Sequence, residues 1–314
     1  MADILADQRM TLKPRPPFSL DLTAGYHTYF RGDYGADTFS DGVYRRLWHR
    51  DGRPLLTLAA SSGTVEAPEL RVEVRGSQAS EDIHFASERM AWVLGIDADL
   101  SGFYAMAQGD PALAVATQRL RGLHPPHTPT VFESLVLAIA GQQVSSAVAR
   151  IMRSALIQSF GASYFDGRIY YDFPSPEALA GADAAGLRQA KLSARKAEYI
   201  QGIARMMASG ELNLEVLRGL SPGEVLERLT QIRGVGRWTA HWVMVRALGY
   251  PDVFPSADLA LRRTISQLYL GGRPLDWEEA EAFSQRWSPY RSLATVYLFA
   301  ASRLGLLPEM ARGR

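Results

Sequence analysis

Up to about residue 76, apolar positions alternate with polar ones in short runs. Tyr44 and Leu47, then Leu55, Leu56 and Leu58, then Leu70 to Val74 (LRVEV) read as strands, and Asp51-Gly52 is a pair that tight hairpin turns select. From Ser80 the spacing becomes helical: Ile83, Ala86, Met90, Val93 and Leu94 form one stripe behind a Ser80 cap, with Glu81 and Asp82 in the first turn. Asp110-Pro111 opens another helix in the same way. Gly122 to Pro129 (GLHPPHTP) reads as a linker with solvated His124 and His127, because each proline holds the residue before it extended.

Beyond the linker nearly every stretch has helical spacing. Starts are signalled at Thr130, Ser175-Pro176, Ser221-Pro222 with Glu224, Ser256 and Asp276, and stops at Gly161 and Gly210. The pattern predicts an α+β fold in two parts: a small antiparallel sheet plus helix over 1–125, and a mostly helical part over 126–314.

Composition narrows the chemistry. The 314 residues include no cysteine, which excludes a disulfide framework, a thiolate zinc site, a cysteine nucleophile and a Cys-ligated iron–sulfur cluster. The net charge of +1 leaves no global footprint for nucleic acid, so any such contact has to be local. Residues 1–125 carry 13 basic and 16 acidic side chains, and residues 126–314 carry 21 and 17, a net +4 for the helical part. Lysine occurs only at 13, 191 and 196, so the basic charge is almost all arginine. With no signal-like start and no membrane-length apolar run, the expectation is a cytoplasmic, nucleoid-associated protein that contacts no membrane.

The informative segment is Leu229 to Ala240, LTQIRGVGRWTA, which joins SPGEVLERL to RWTAHWVMVRAL as helix, tight glycine turn, helix. Gly234 and Gly236 lack a Cβ, so the backbone there can take positive φ and approach another surface closely. The first N–H groups of the second helix then face outward as partial positive charge and can bind a phosphate oxygen without a lysine. Taken alone, Gly-Val-Gly is equally a helix end and a turn. Asp258, in VFPSADLALRR, lies 22 residues after Gly236, and taken alone it is an acid stabilising a helix start.

The whole pattern, I-x-G-V-G-x-x-T-A with an aspartate at that distance, resembles the helix-hairpin-helix (HhH-GPD) DNA glycosylase superfamily. The resemblance implies that Asp258 is the catalytic carboxylate, stabilising an oxocarbenium-like sugar at C1′ or orienting water against it. It implies that Gly234, Val235, Gly236, Arg237 and Thr239 clamp a DNA phosphate. Lyase-active members carry a lysine two positions after the second glycine, where this chain has Trp238, so the resemblance implies a monofunctional enzyme that leaves an abasic site. The four-cysteine branches are excluded by the absence of cysteine.

What remains is similar to the bacterial DNA-3-methyladenine glycosylase II (AlkA-like) family over most of the chain. Phe132 to Ser145 (FESLVLAIAGQQVS), Arg286 to Ser292 (RWSPYRS) and the amino-terminal sheet carry the likeness. By position, Gln143 with Gln142 beside it is the plug that fills the gap left by an extruded base. Relatives often have an apolar residue at the place of Gln143, and amides capping the preceding helix are the other reading. Trp238 and Trp242, at i and i+4, share a helix face beside Asp258 as pocket or as core, and Phe299 matches a pocket tryptophan. Aromatic faces attract cationic alkylated purines.

No cofactor is expected to be required, although the family's hairpin often holds a structural monovalent cation. The matching carbonyls are those of Thr230, Ile232 and Val235. The expected partner is double-stranded DNA with damaged bases, bound by a monomer. The implied function is excision of 3-methyladenine and 7-methylguanine in base excision repair. Hypoxanthine or an oxidised purine on the same scaffold, or a hairpin module that binds DNA without chemistry, are the alternatives.

Overall fold

The alternating runs of the amino-terminal part pair into one antiparallel sheet. The computed structural model describes residues 9–307. Strands β1 (Arg9–Leu12), β2 (Asp33–Tyr34), β3 (Asp37–Ser40), β4 (Val43–Arg50), β5 (Arg53–Ser61) and β6 (Leu70–Arg75) lie in the order β1-β6-β5-β4-β3-β2. Helices α1 (Leu20–His27) and α2 (Ser80–Val93) cover it, burying Tyr44, Trp48, Leu55 and Val72 against Met90 and Val93. The helix cap falls on Ala79 rather than Ser80. No side chain caps the helix; nearby, the Ser77 hydroxyl donates to Asp82 at 2.6 Å and Arg53 donates to the same fully buried carboxylate at 3.1 Å.

Two short helices follow, α3 (Ser101–Ala107) and α4 (Pro111–Arg119), and then α5 (Val131–Gly141) and α6 (Ser146–Phe160). Between α6 and the next helix the chain forms a hairpin, β7 (Ser163–Asp166) and β8 (Arg168–Tyr171), where helical spacing was expected. Asp166-Gly167 is the same turn signal as Asp51-Gly52, and Gly167 takes φ 72°. Tyr170 packs on Leu47 and Leu56, and Arg75 pairs with Asp166 at 2.5 Å, so the hairpin leans on the first sheet. The remaining helices are α7 (Pro176–Ala180), α8 (Ala184–Gln189), α9 (Ala194–Ala208), α10 (Pro222–Gln231), α11 (Arg237–Arg246), α12 (Leu259–Tyr269), α13 (Trp277–Ser284) and α14 (Arg291–Arg303).

Three large apolar clusters organise these elements, beside the small one that joins Tyr170 to the first sheet. The first is the sheet with α1 and α2. The second joins α5 to α11, through residues such as Leu135, Ile200, Leu229 and Val243. The third buries Phe103 and Leu113, from α3 and α4, against Leu261, Trp287 and Tyr297. Helices on the amino-terminal side of residue 125 therefore share a core with the carboxyl-terminal ones, a long-range pairing invisible to local texture. Asp110 fastens it, capping α4 while accepting the Trp287 indole N–H at 2.9 Å and the Tyr269 hydroxyl at 2.6 Å.

The linker histidines are buried, against the expectation of solvation. His127 stacks on Trp92 at 4.3 Å, and His124 lies between the carbonyls of Gly95 and Pro17 at 2.7 and 3.0 Å. Burial holds His27 down at about 3, and His127 and His241 at about 4. Glu133 opposes them: burial pushes its carboxyl up to about 7, although Arg46 donates to it at 2.6 and 2.7 Å. A group with a lowered folded value contributes stability above its unfolded value, here 6.5, that is lost as pH falls; Glu133 contributes stability below 4.5 that is lost as pH rises through 7. Three histidines outweigh one glutamate, so unfolding free energy is expected to fall by on the order of 3 kcal/mol between pH 7 and 5. Urea unfolding at the two pH values measures this, and equal or greater stability at pH 5 would contradict it.

Candidate active site

The glycine turn and the aspartate come together where the second and third clusters meet. Helix α10 starts with a full capping box, Ser221 with Glu224, and Pro222 in its first turn, so its register and end are set locally. It stops at Ile232, and Gly234 takes φ 89°. A Cβ on Gly234 would lie 2.3 Å from the Tyr199 ring, so glycine is required there twice over.

Gly236 differs from expectation. It caps α11 with φ −100°, ordinary backbone for any residue, and a Cβ would meet nothing within 4 Å. It also supplies no side chain to the first N–H groups of α11. Those N–H groups are left to an external acceptor. Arg237 beside them is exposed and lies 5.3 Å from the Trp277 ring, whereas the side chains of Val235 and Thr239 are buried. Any phosphate contact by Val235 or Thr239 therefore runs through the main chain.

Helix α12 starts at Asp258, not at Ser256, because the carboxylate outcompetes the buried hydroxyl as a cap. Its Oδ1 accepts the N–H groups of Ala260 at 2.9 Å and Leu261 at 3.1 Å. Its Oδ2 accepts the indole N–H groups of Trp238 at 2.8 Å and Trp242 at 3.2 Å. A carboxylate offers about four lone-pair sites, and these four donors match them. The Trp242 ring packs against Phe299 at 5.7 Å, and Asp258, Trp238, Trp242 and Phe299 are all half-buried. The i, i+4 spacing placed both indoles on one face; their donation to Asp258 left no signal in the sequence.

Sequence reasoning also missed the residues that continue this wall. Arg303, one turn beyond Phe299, lies 5.8 Å from that ring and 4.3 and 4.7 Å from the rings of Tyr29 and Tyr26. Tyr29 and Phe30 hold consecutive left-handed backbone conformations, φ 55° and 56°, the kind of strain that clusters at working sites. Burial raises the Tyr29 phenol, but Arg153, Arg303 and Arg246 more than offset this and hold it down at about 8.

The two glutamines part company. Gln142 turns inward, and its amide donates to the Gly234 carbonyl and the Thr239 hydroxyl, both at 2.9 Å, so it braces the hairpin instead of facing outward. Gln143 is exposed with φ 55°, held out from the loop between α5 and α6. Two cavities of about 290 and 410 Å³, lined by Phe85, Arg89, Pro129 and Glu215 among others, share no residue with the Asp258 site. Among the described residues there is no helix long and apolar enough to cross a membrane and no cluster of three metal-ligating side chains.

Known proteins share this fold. Residues 136–289 match the family described as HhH-GPD superfamily base excision DNA repair protein. The chain is 37% identical over 205 residues to a DNA-3-methyladenine glycosylase of Bacillus subtilis, covering 65% of this chain and 68% of that one. Other relatives are matched over 56 to 81% of their own length. A 3-methyladenine DNA glycosylase from Archaeoglobus fulgidus superposes with a TM-score of 0.83 at 29% identity, over 94% of this chain and 98% of that one. The Schizosaccharomyces pombe enzyme Mag1, solved with abasic DNA, superposes at 0.57 and 27% identity, over 66% of this chain and all of its own. The chain belongs to the HhH-GPD superfamily of base excision DNA repair proteins, as a DNA glycosylase similar to its DNA-3-methyladenine members.

Proposed function

We propose that this protein is a monofunctional glycosylase that extrudes alkylated purines, 3-methyladenine and 7-methylguanine, from duplex DNA and hydrolyses their N-glycosidic bond with Asp258. The observation that carries this reading is the carboxylate held at a helix N-terminus by two main-chain and two indole N–H groups. As the C1′–N bond breaks, its electron pair leaves with the base and positive charge grows on the sugar. A fixed carboxylate facing that charge lowers the barrier. With its lone-pair sites taken, Asp258 acts as an electrostatic stabiliser, and a water molecule adds to C1′ and gives up its proton to solvent. The product is an abasic site and the free base.

Trp238 fills the position where an amine would form an imine, which supports hydrolysis without strand cleavage. Borohydride is therefore expected to trap no covalent protein–DNA adduct during turnover; a trapped adduct would overturn the monofunctional reading. The rings of Trp242 and Phe299 offer π faces to a cationic base, worth about 0.5 to 2 kcal/mol.

Arg303 favours a second reading, because a guanidinium 5.8 Å from the Phe299 ring opposes a cationic base and suits a neutral one with a carbonyl edge, such as hypoxanthine or an oxidised purine. Single-turnover rates on a panel of defined lesions separate the two, and faster excision of the neutral bases would establish the second.

The hairpin would hold a structural monovalent cation through the carbonyls of Thr230, Ile232 and Val235. The residues fit one: carbonyls at the end of α10 lack helical partners, and that of Ile232 accepts a single main-chain N–H, from Val235 at 3.0 Å. Such an ion would add positive charge where a DNA phosphate docks.

A further inference from the structure

The loop that carries Gln143 is anchored on one side and clasped on the other. At the end of α5 the Leu137 carbonyl accepts Arg153 Nε at 2.7 Å, the Ala140 carbonyl accepts Lys196 Nζ at 2.9 Å, and the Ile139 carbonyl accepts the N–H of Gln142 at 3.2 Å. Arg153 is in turn fixed by the hydroxyls of Tyr29 and Tyr34, at 3.0 and 3.1 Å. Cationic side chains on the last carbonyls of a helix lock its final turn. From that locked end, the Gln142 amide reaches across to Gly234 in the hairpin turn and Thr239 in the first turn of α11. The next residue, Gln143, stands exposed in left-handed backbone.

We propose that Gln142 is a positioning residue that sets the reach of Gln143 from the phosphate held by the hairpin, so that docking of the backbone places the plug at the extruded nucleotide. The inference rests on the reading of the protein as a base-extruding glycosylase. Phosphate docking and gap filling must occur a fixed distance apart on the duplex, and the two 2.9 Å hydrogen bonds impose that distance within the protein. Gln142 touches neither the base nor the sugar in this account. It acts through Gln143.

The test is Gln142→Leu, which keeps bulk and removes the amide, assayed on a 3-methyladenine analogue or hypoxanthine, whichever the wild type excises. Excision opposite a paired thymine is expected to fall about tenfold, as two lost hydrogen bonds imply. Affinity for undamaged duplex should fall by less than excision does, because the N–H groups that meet the phosphate belong to the α11 main chain. Opposite a tetrahydrofuran abasic analogue, where the lesion is already unpaired and extrusion costs less, the deficit should shrink to within about twofold. Gln143→Ala should show the same dependence on context. A deficit of equal size in both contexts, an equally large loss of affinity for undamaged duplex in a folded protein, or no deficit would each overturn the proposal. If the leucine variant fails to fold, the isosteric Gln142→Glu, which puts a carboxylate oxygen against the Gly234 carbonyl, is read in the same way. Absence of any base release by the wild type would instead count against the glycosylase reading itself.

Discussion

Replacing Asp258 with asparagine is expected to slow base release by about a thousandfold while leaving duplex affinity within about twofold. A unit charge about 4 Å from the developing sugar cation, at an effective dielectric near 20, is worth on the order of 4 kcal/mol, or roughly three powers of ten in rate. Asparagine caps a helix as well as aspartate, so α12 should keep its start. What changes besides charge is the other oxygen. The amide nitrogen would face the two indole N–H groups that Oδ2 accepts at 2.8 and 3.2 Å, leaving donors without an acceptor. Single-turnover excision, with circular dichroism to verify folding, measures the effect. A folded variant that retained more than a tenth of the wild-type rate would remove Asp258 from the chemistry.

The second large effect separates two glycines that look alike in sequence. Gly234→Val combines a left-handed conformation, costing about 1 to 2 kcal/mol for a residue with a Cβ, with a clash at 2.3 Å against the Tyr199 ring. It should destabilise the fold by on the order of 3 kcal/mol. Gly236→Val should cost only about 1 kcal/mol, as an inferior cap, because the protein leaves space around it. On DNA the order of interest reverses. A valine at 236 occupies the place where a phosphate would approach the α11 N–H groups, and affinity for lesion and undamaged duplex alike should fall by about a hundredfold, comparable to losing two charge-assisted hydrogen bonds. Thermal unfolding together with duplex titrations tests both halves. Unchanged affinity in folded Gly236→Val would show that the hairpin does not hold the backbone.

Features with a local cause could be read from the chain. Thr130, Ser175, Ser221 with Glu224, and Asp276 each cap the helix they announce, since a capping side chain bonds only two or three residues ahead. The hairpin turn was legible for a similar reason, whereas Asp258, read alone as a helix-start acid, was singled out only by the resemblance of the whole pattern. Ser256 was misread because two residues could cap one helix and only tertiary packing buries the hydroxyl. Linker histidines looked solvated because burial against Trp92 and Gly95 comes from residues about thirty positions away. Likewise, neither the inward turn of Gln142, to partners 92 and 97 positions on, nor the placing of Arg303 against Tyr29 has any local signature. Asp258, its two indole donors, Phe299 and Arg303 come from α11, the start of α12 and α14, and no single stretch of sequence contains them.

The most direct measurement is chromatography of the bases released when methylated duplex DNA is incubated with the protein or with Asp258→Asn, followed by alkali treatment of the strands. Free 3-methyladenine or 7-methylguanine is expected from the wild type only, with strand breaks that appear after alkali and not before. Tight duplex binding with no released base, or equal release by the folded variant, would contradict it.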